Sequence, residues 1–334
     1  MKLNVRYTSD NNYAPWLCVS VASLLENNKG ADAITVYAVA DSWDEKYVSR
    51  LENQVSRYGD SRRLRLIDGK EWTSRLAEMG MLPYRGGQAP NLRLFFPEFI
   101  DSDVEKLLYL DCDTIVCGDL SPLFETNMND KPIAVVLDSL TTHYRSKIGF
   151  SATDSYFNSG VILFDVENWK RCNATEHIMS VIGSGEHKTF INPDQDTLNV
   201  SLRGQAVILH PRYNFQTTHK VYPNRLYFKH YGGIDYYTDA ELDEARKDSV
   251  ILHAYRFLGQ FPWHKNAIHP WRNTFLTYAA ISECSDFEPT QNVGNMFKFE
   301  RFLYRILPKC IFIRIFKAWQ SHSMRKHFKR IHQK

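Results

Sequence analysis

The 334-residue sequence has no uncharged apolar run approaching the length of about eighteen residues that a membrane-crossing helix needs. Its first residues, MKLNVRYTSDNNY, enter a strand-like pattern with no apolar segment of the secretory type. Cysteine is sparse. Cys18, Cys112, Cys117, Cys172, Cys284 and Cys310 are scattered, and no two are spaced as a CxxC metal hook. These absences argue against a structural zinc site and a disulfide framework, and the expectation is a cytoplasmic protein with reduced thiols. The segment after the first strand, YTSDNNYA, has neither Gly nor Lys. A triphosphate-cradling loop would need both, so a nucleotidyltransferase reading is disfavoured.

Hydrophobic residues at 43% and charged residues at 24% suit a large globular core. The net charge of +3 is unevenly spread. Residues 296–334 hold eleven Lys or Arg against one acid, Glu300, so the rest of the chain is net negative. Strand-like and helix-like periods alternate through the first part. Strands are predicted at Leu3–Thr8, Ala33–Ala40 and Arg62–Ile67, with helices at Tyr13–Asn28 and Asp44–Tyr58. This βαβαβ order implies an α/β fold with a parallel sheet, which binds ligands at the carboxyl ends of its strands. A loop around Gly86 and Gly87 and a short helix at Asn91–Phe99 lead to a strand at Lys106–Leu110. Further strands are expected at Ile133–Leu137, Val161–Phe164, Ala206–Leu209 and Val250–His253, and helices at Val166–Ile182 and Gln195–Leu202. No internal repeat divides the chain, so residues 1–285 read as one catalytic domain and residues 286–334 as a basic, aromatic-rich extension.

Three Asp-x-Asp triplets occur: Asp101/Asp103, Asp111/Asp113 and Asp194/Asp196. Only the second ends a buried strand, in LLYLDCDTIV. Carboxylates at i and i+2 on extended backbone point to one side and suit a hard divalent cation such as Mn²⁺ or Mg²⁺. The competing reading is a solvated turn. His253 closes the strand VILHA, either completing such a site or half-buried at a sheet edge with its nitrogens satisfied by backbone. Asn192-Pro193-Asp194 is also a sound helix start.

Five ordered strings carry a family likeness: YTSDNNYA, LLYLDCDTIVCGDLSPLF, YFNSGVILFDVENWK, NPDQDTLN and ILHAYRFLGQFPWH. Together they resemble glycosyltransferase family 8, the retaining group with the bacterial lipopolysaccharide α-galactosyl- and α-glucosyltransferases and, more distantly, glycogenin. The likeness covers about the first 280 residues. It implies a GT-A type fold, in which a mostly parallel central sheet is flanked by helices. It also implies transfer of galactose or glucose from a UDP-sugar to a glycan or glycolipid acceptor of a cell-surface polysaccharide. By resemblance, Asp111, Asp113 and His253 are metal ligands. Asp10, Asn12 and Tyr13 match the uridine-holding segment, Arg93 a donor contact, and Asn158 and Ser159 a donor-sugar pair. Asp194 and Gln195 match the pair beside the transferred sugar. One departure is clear: Phe261 stands where the family has a diphosphate-contacting lysine, with Arg256 or Lys265 as substitutes. A non-catalytic nucleotide-sugar-binding protein is the alternative that this departure keeps open.

The tail alternates apolar and basic residues at helical spacing, interrupted by Pro308. That pattern fits peripheral attachment to the anionic inner face of a membrane. The competing reading is a packed subdomain with a solvated basic face. No nucleic-acid partner is expected, because no recognised binding motif accompanies the charge.

Overall fold

The computed structural model describes residues 1–83, 87–139, 145–231, 236–290 and 294–331; Gly86, in the expected loop, lies outside them. Its strands are β1 (Lys2–Thr8), β2 (Ala33–Ala40), β3 (Arg62–Asp68), β4 (Lys106–Leu110), β5 (Thr114–Val116), β6 (Ile133–Leu137), β7 (Phe157–Asp165), β8 (Ala206–Ile208), β9 (Phe215–Gln216) and β10 (Ile251–His253). Seven form one sheet in the order β3-β2-β1-β4-β7-β6-β8. The pairs β2/β3, β1/β2, β1/β4 and β6/β8 are parallel, whereas β7 runs antiparallel to both β4 and β6. The mostly parallel sheet expected from βαβ alternation is therefore present.

Both faces of this sheet are covered, which the strand sequences encode. In β4, Leu108 and Leu110 join one core cluster and Leu107 and Tyr109 the other. In β2, Ile34, Val36 and Ala38 face one way and Tyr37 and Val39 the other. Successive side chains alternate across a strand, so a strand buried on both sides reads as a continuous apolar run. Helix Ala14–Asn27 supplies Leu17, Val21, Leu24 and Leu25 to the first cluster. Asp44 caps helix Glu45–Ser56 by accepting from the Lys46 amide.

Two expected elements differ. The run anticipated as one helix over Val166–Ile182 is two helices, Val166–Arg171 and Ala174–Gly183, parted where Asn173 adopts a left-handed φ of 51°. Asn tolerates that conformation better than β-branched or bulky residues do. The segment at Asn91–Phe99 belongs to a 3₁₀ run, Ala89–Phe99, with Phe95 outside helical geometry.

A second, three-stranded sheet sets the functional geometry. Its order is β5-β10-β9, with β10 antiparallel to β5 and parallel to β9. Helices Asn295–Ile306 and Lys309–Ile331 follow, separated at Leu307-Pro308 with Leu307 extended, as a residue before proline prefers. The second packs Ile313 into the cluster of Tyr222, Tyr227 and Tyr231.

Candidate active site

The two sheets meet at the end of β4. The chain leaves the strand at Leu110 and turns, with the Thr114 amide donating to the Asp111 carbonyl at 3.0 Å. Asp111 and Asp113 thus converge through a turn, not along the extended backbone expected from their spacing. The turn delivers Thr114 opposite His253 in the β5/β10 register, and the Ala254 amide donates to the Asp113 carbonyl at 2.9 Å. His253 Nε2 consequently lies 3.3 Å from Asp113 Oδ1 and 3.8 Å from Asp111 Oδ2. One ligand atom from each of the three residues falls within a 4.8 Å cluster.

The donor set fits a divalent cation. Asp111 divides its oxygens: Oδ1 takes the Tyr109 hydroxyl at 2.8 Å and Arg93 Nη2 at 2.8 Å, while Oδ2 turns toward His253. His253 Nδ1 pairs with Asn214 Oδ1 at 3.0 Å, which fixes the ring with Nε2 toward the carboxylates. Asn214 in turn donates to Asn158 Oδ1 at 2.9 Å. Burial favours the neutral imidazole, but Asp113 and Asp111 outweigh it and raise the His253 pKa. Two carboxylates and an imidazole facing one point suit Mn²⁺ or Mg²⁺ better than a soft ion.

Gly160 makes this approach possible. A Cβ built there would sit 2.2 Å from His253 Cε1 and 2.7 Å from Asp111 Oδ2. Gly160→Ala is therefore expected to abolish tight metal binding while the fold persists. Mn²⁺ titration calorimetry beside circular dichroism checks this; wild-type Mn²⁺ affinity in the variant would refute it.

Gly160 belongs to an irregular stretch of β7. Val135 of β6 pairs with Ile162, but Val136 pairs with Asn158, leaving Ser159, Gly160 and Val161 as a bulge. Bulges re-aim side chains, and this one is pinned from the next layer. Gln195 Oε1 accepts from the Ser159 amide at 3.0 Å and from Asn158 Nδ2 at 3.3 Å. Gln195 Nε2 donates to Asp138 Oδ2 at 3.3 Å and the Tyr156 hydroxyl at 3.2 Å. Its amide is therefore engaged at both ends.

Arg93 ties the halves together. Besides Asp111 it binds Asp194 Oδ2 through Nε at 3.0 Å and donates through Nη1 to the Ser159 carbonyl at 2.8 Å. Its guanidinium lies 4.7 Å from the centre of the Tyr109 ring. Burial opposes its charge, but Asp111, Tyr109 and Asp194 more than compensate and raise its pKa. Asp194 is only 5% exposed; burial pushes its pKa up, with Arg93 acting in the opposite direction. Asp196 serves the helix start instead, accepting the Ile191 and Asn192 amides at 3.0 Å each.

These groups line a cavity of about 400 Å³, within the size range of small-molecule sites. Asp10, Tyr13, Arg93, Asp111, Asp113, Asn158, Ser159, Asp194, Gln195, His253 and Arg256 all border it. Asn12 does not: it is exposed in the turn before helix Ala14–Asn27. Of the two substitute cations, Arg256 lines the cavity, whereas Lys265 does not. Phe261 is buried in a stack of three rings, 4.5 Å from Trp263, which lies 4.5 Å from Trp16. The geometry adds Asn214, Gly160, Asp138 and Gln320, none singled out in the sequence. A glycine inside the strand-like string YFNSGVILF was the one local signal, since Gly in a strand marks a bulge or close approach.

A family model described as "Glycosyl transferase family 8" matches residues 4–267. The chain belongs to that family. Among curated relatives, General stress protein A of Bacillus subtilis is 27% identical over 280 residues, covering 82% of this chain and 92% of that protein. A lipopolysaccharide 1,2-glucosyltransferase of Escherichia coli is 30% identical over 287 residues, covering 81% and 79%. A second one, from Escherichia coli strain K12, is 26% identical over 333 residues and covers 98% and 92%. The solved structure of the galactosyltransferase LgtC with donor and acceptor sugar analogs superposes with a TM-score of 0.67 at 21% identity, covering 90% of this chain and 99% of that one. The fold is thus the GT-A type, and the family makes the chain a glycosyltransferase.

Proposed function

We propose that this family 8 enzyme is a retaining hexosyltransferase that moves glucose or galactose from a UDP-sugar to a glycan of a cell-surface polysaccharide precursor such as lipopolysaccharide. The observation that carries this reading is the Asp111–Asp113–His253 cluster opening on a cavity that Asp194 also lines, joined to Asp111 through Arg93. The curated relatives named as lipopolysaccharide glucosyltransferases support the substrate class. In this reading Asp111, Asp113 and His253 would hold a Mn²⁺, which would supply positive charge against that growing on the leaving diphosphate. Asp10 and Tyr13, which line the cavity, are proposed to hold uridine, and Asn158, Ser159 and Asp194, which also line it, the hexose, whose hydroxyls Asp194 can accept as hydrogen bonds. Gln195 holds the bulge that presents Asn158 and Ser159, and an amide is a poor nucleophile. We therefore favour front-face transfer, in which the leaving phosphate takes the acceptor's proton; a glycosyl adduct trapped on Asp194 would overturn that route.

The test is UDP release from a panel of UDP-sugars in Mn²⁺ and then in EDTA. Hydrolysis of one UDP-hexose that stops on chelation is the expected result. Silence across the panel, with and without glycan acceptors, would defeat the proposal.

We further place the enzyme at the inner face of the cell membrane. No helix among the described residues is long and apolar enough to cross a membrane. Met296, Phe299, Phe302 and Ile306 lie exposed at helical spacing, as do Ile311, Ile315 and Trp319. Each nearby Lys or Arg adds about 1 kcal/mol at an anionic surface. Removing residues 296–334 is expected to end co-sedimentation with anionic vesicles; undiminished sedimentation would remove this placement.

A further inference from the structure

The loop between β10 and Trp263 carries the cavity cation Arg256, and its conformation is unusual. Phe257 and Gln260 exchange backbone hydrogen bonds of 2.8 and 2.9 Å around Leu258 and Gly259, whose φ values are +49° and +75°. This is a tight primed turn with a leucine in the left-handed region, a conformation disfavoured for a side chain of that size. Something outside the loop must hold it.

Helix Asn295–Ile306 does so. Phe297 lies directly over Gly259: a Cβ there would be 2.2 Å from Phe297 Cγ and 2.5 Å from its Cβ. Tyr304, farther along the same helix, meets Phe257 edge-on at 5.2 Å. The Arg256 guanidinium is 5.6 Å from the Phe261 ring centre and 5.6 Å from that of Phe297. A cation between two aromatic faces is attracted to both and restricted in direction. The next helix reaches the same cavity, with Gln320 on its lining and its side-chain oxygen accepting the Tyr231 hydroxyl at 3.1 Å.

We infer that the C-terminal helices complete the diphosphate subsite, with Phe297 a positioning residue that holds Arg256 toward the phosphates in place of the lysine displaced by Phe261. This rests on the reading of the cavity as a UDP-sugar site. It gives the basic segment a second task beside surface attachment, because the helix that presents Met296, Phe299 and Phe302 outward presents Phe297 and Tyr304 inward. Contact of its outer face with a membrane would then steady the turn that carries Arg256.

The test is calorimetric binding of UDP and of uridine, each with Mn²⁺, to the full chain and four variants. Arg256→Ala is expected to weaken UDP by about 10- to 100-fold, the effect of losing one charge-assisted contact. Phe297→Ala should weaken UDP by about two- to fivefold, the worth of one cation–aromatic contact. Neither should move uridine, which has no phosphate; a general loosening of the fold would weaken both ligands. The double variant should bind UDP no more weakly than Arg256→Ala alone, and Phe297→Tyr should restore wild-type affinity. Equal losses for UDP and uridine, unchanged UDP affinity in Phe297→Ala, or additive effects in the double variant would each overturn the inference. Failure of the wild-type chain to bind UDP would instead defeat the reading of the cavity itself.

Discussion

Asp111→Asn is expected to lower UDP-sugar turnover by about a thousandfold or more, since a divalent ion contributes several kcal/mol to stabilising charge in such reactions. The substitution keeps an oxygen for the Tyr109 hydroxyl and Arg93 Nη2, the two groups that hold Oδ1. It replaces Oδ2, the oxygen that faces His253, with an amide nitrogen that cannot ligate. Stability should therefore change by only about 1 kcal/mol, the ordinary scale of a substitution that creates no cavity. Turnover, Mn²⁺ affinity and thermal midpoint measured on one preparation check this. Unchanged turnover would remove Asp111 from the metal site, and lost activity with a collapsed thermal midpoint would make its role structural.

Arg93→Met should act in the opposite way, through stability first. Arg93 is the cation that faces Asp194, a carboxylate only 5% exposed, and it also engages Asp111 and the Ser159 carbonyl. Removing one partner of a buried pair leaves an uncompensated charge, at a cost of about 3–5 kcal/mol. The loss should depend on pH, with a definite sign. Burial already raises the Asp194 pKa and Arg93 restrains it, so the variant's carboxyl moves further up. A group whose folded pKa exceeds its unfolded value loses its stabilising contribution as pH rises from about 4 toward the folded pKa. The gap between variant and wild type in urea unfolding should therefore be wider at pH 8 than at pH 5. A variant as stable as wild type at pH 8 would show that the ion pair does not hold this wall of the cavity.

Much of the fold was legible because it is local. The alternating pattern of β1, the apolar runs of β2 and β4, and the helical spacing of Leu17, Val21, Leu24 and Leu25 follow from backbone geometry over a few residues. The break at Asn173 was not legible, because a left-handed residue inside an apolar helical pattern leaves the periodicity nearly intact. That a turn at Asp111–Thr114 would bring the carboxylates together escaped for a related reason: an i, i+2 spacing fits extended backbone and a tight turn alike, and the sequence offers the turn only as the solvated alternative. Asn12 shares its string with Asp10 and Tyr13 but is exposed and does not border the cavity, a difference that the string alone does not carry.

The sequence by itself determined the α/β class and the family, and singled out the strand end at Asp111 as the candidate site, because each is written in short-range order of residue types. Only the tertiary structure decided which distant groups share a point in space. His253 reaches Asp113 through the β5/β10 register, and Gly160 admits both His253 and Asp111 through a bulge in β7. Arg93 finds Asp111 and Asp194 together, and Phe297 settles on Gly259, because packing between elements brought them there. Those meetings depend on register, bulges and the seating of one layer on another, quantities set by the summed fit of many side chains and carried by no single stretch of chain.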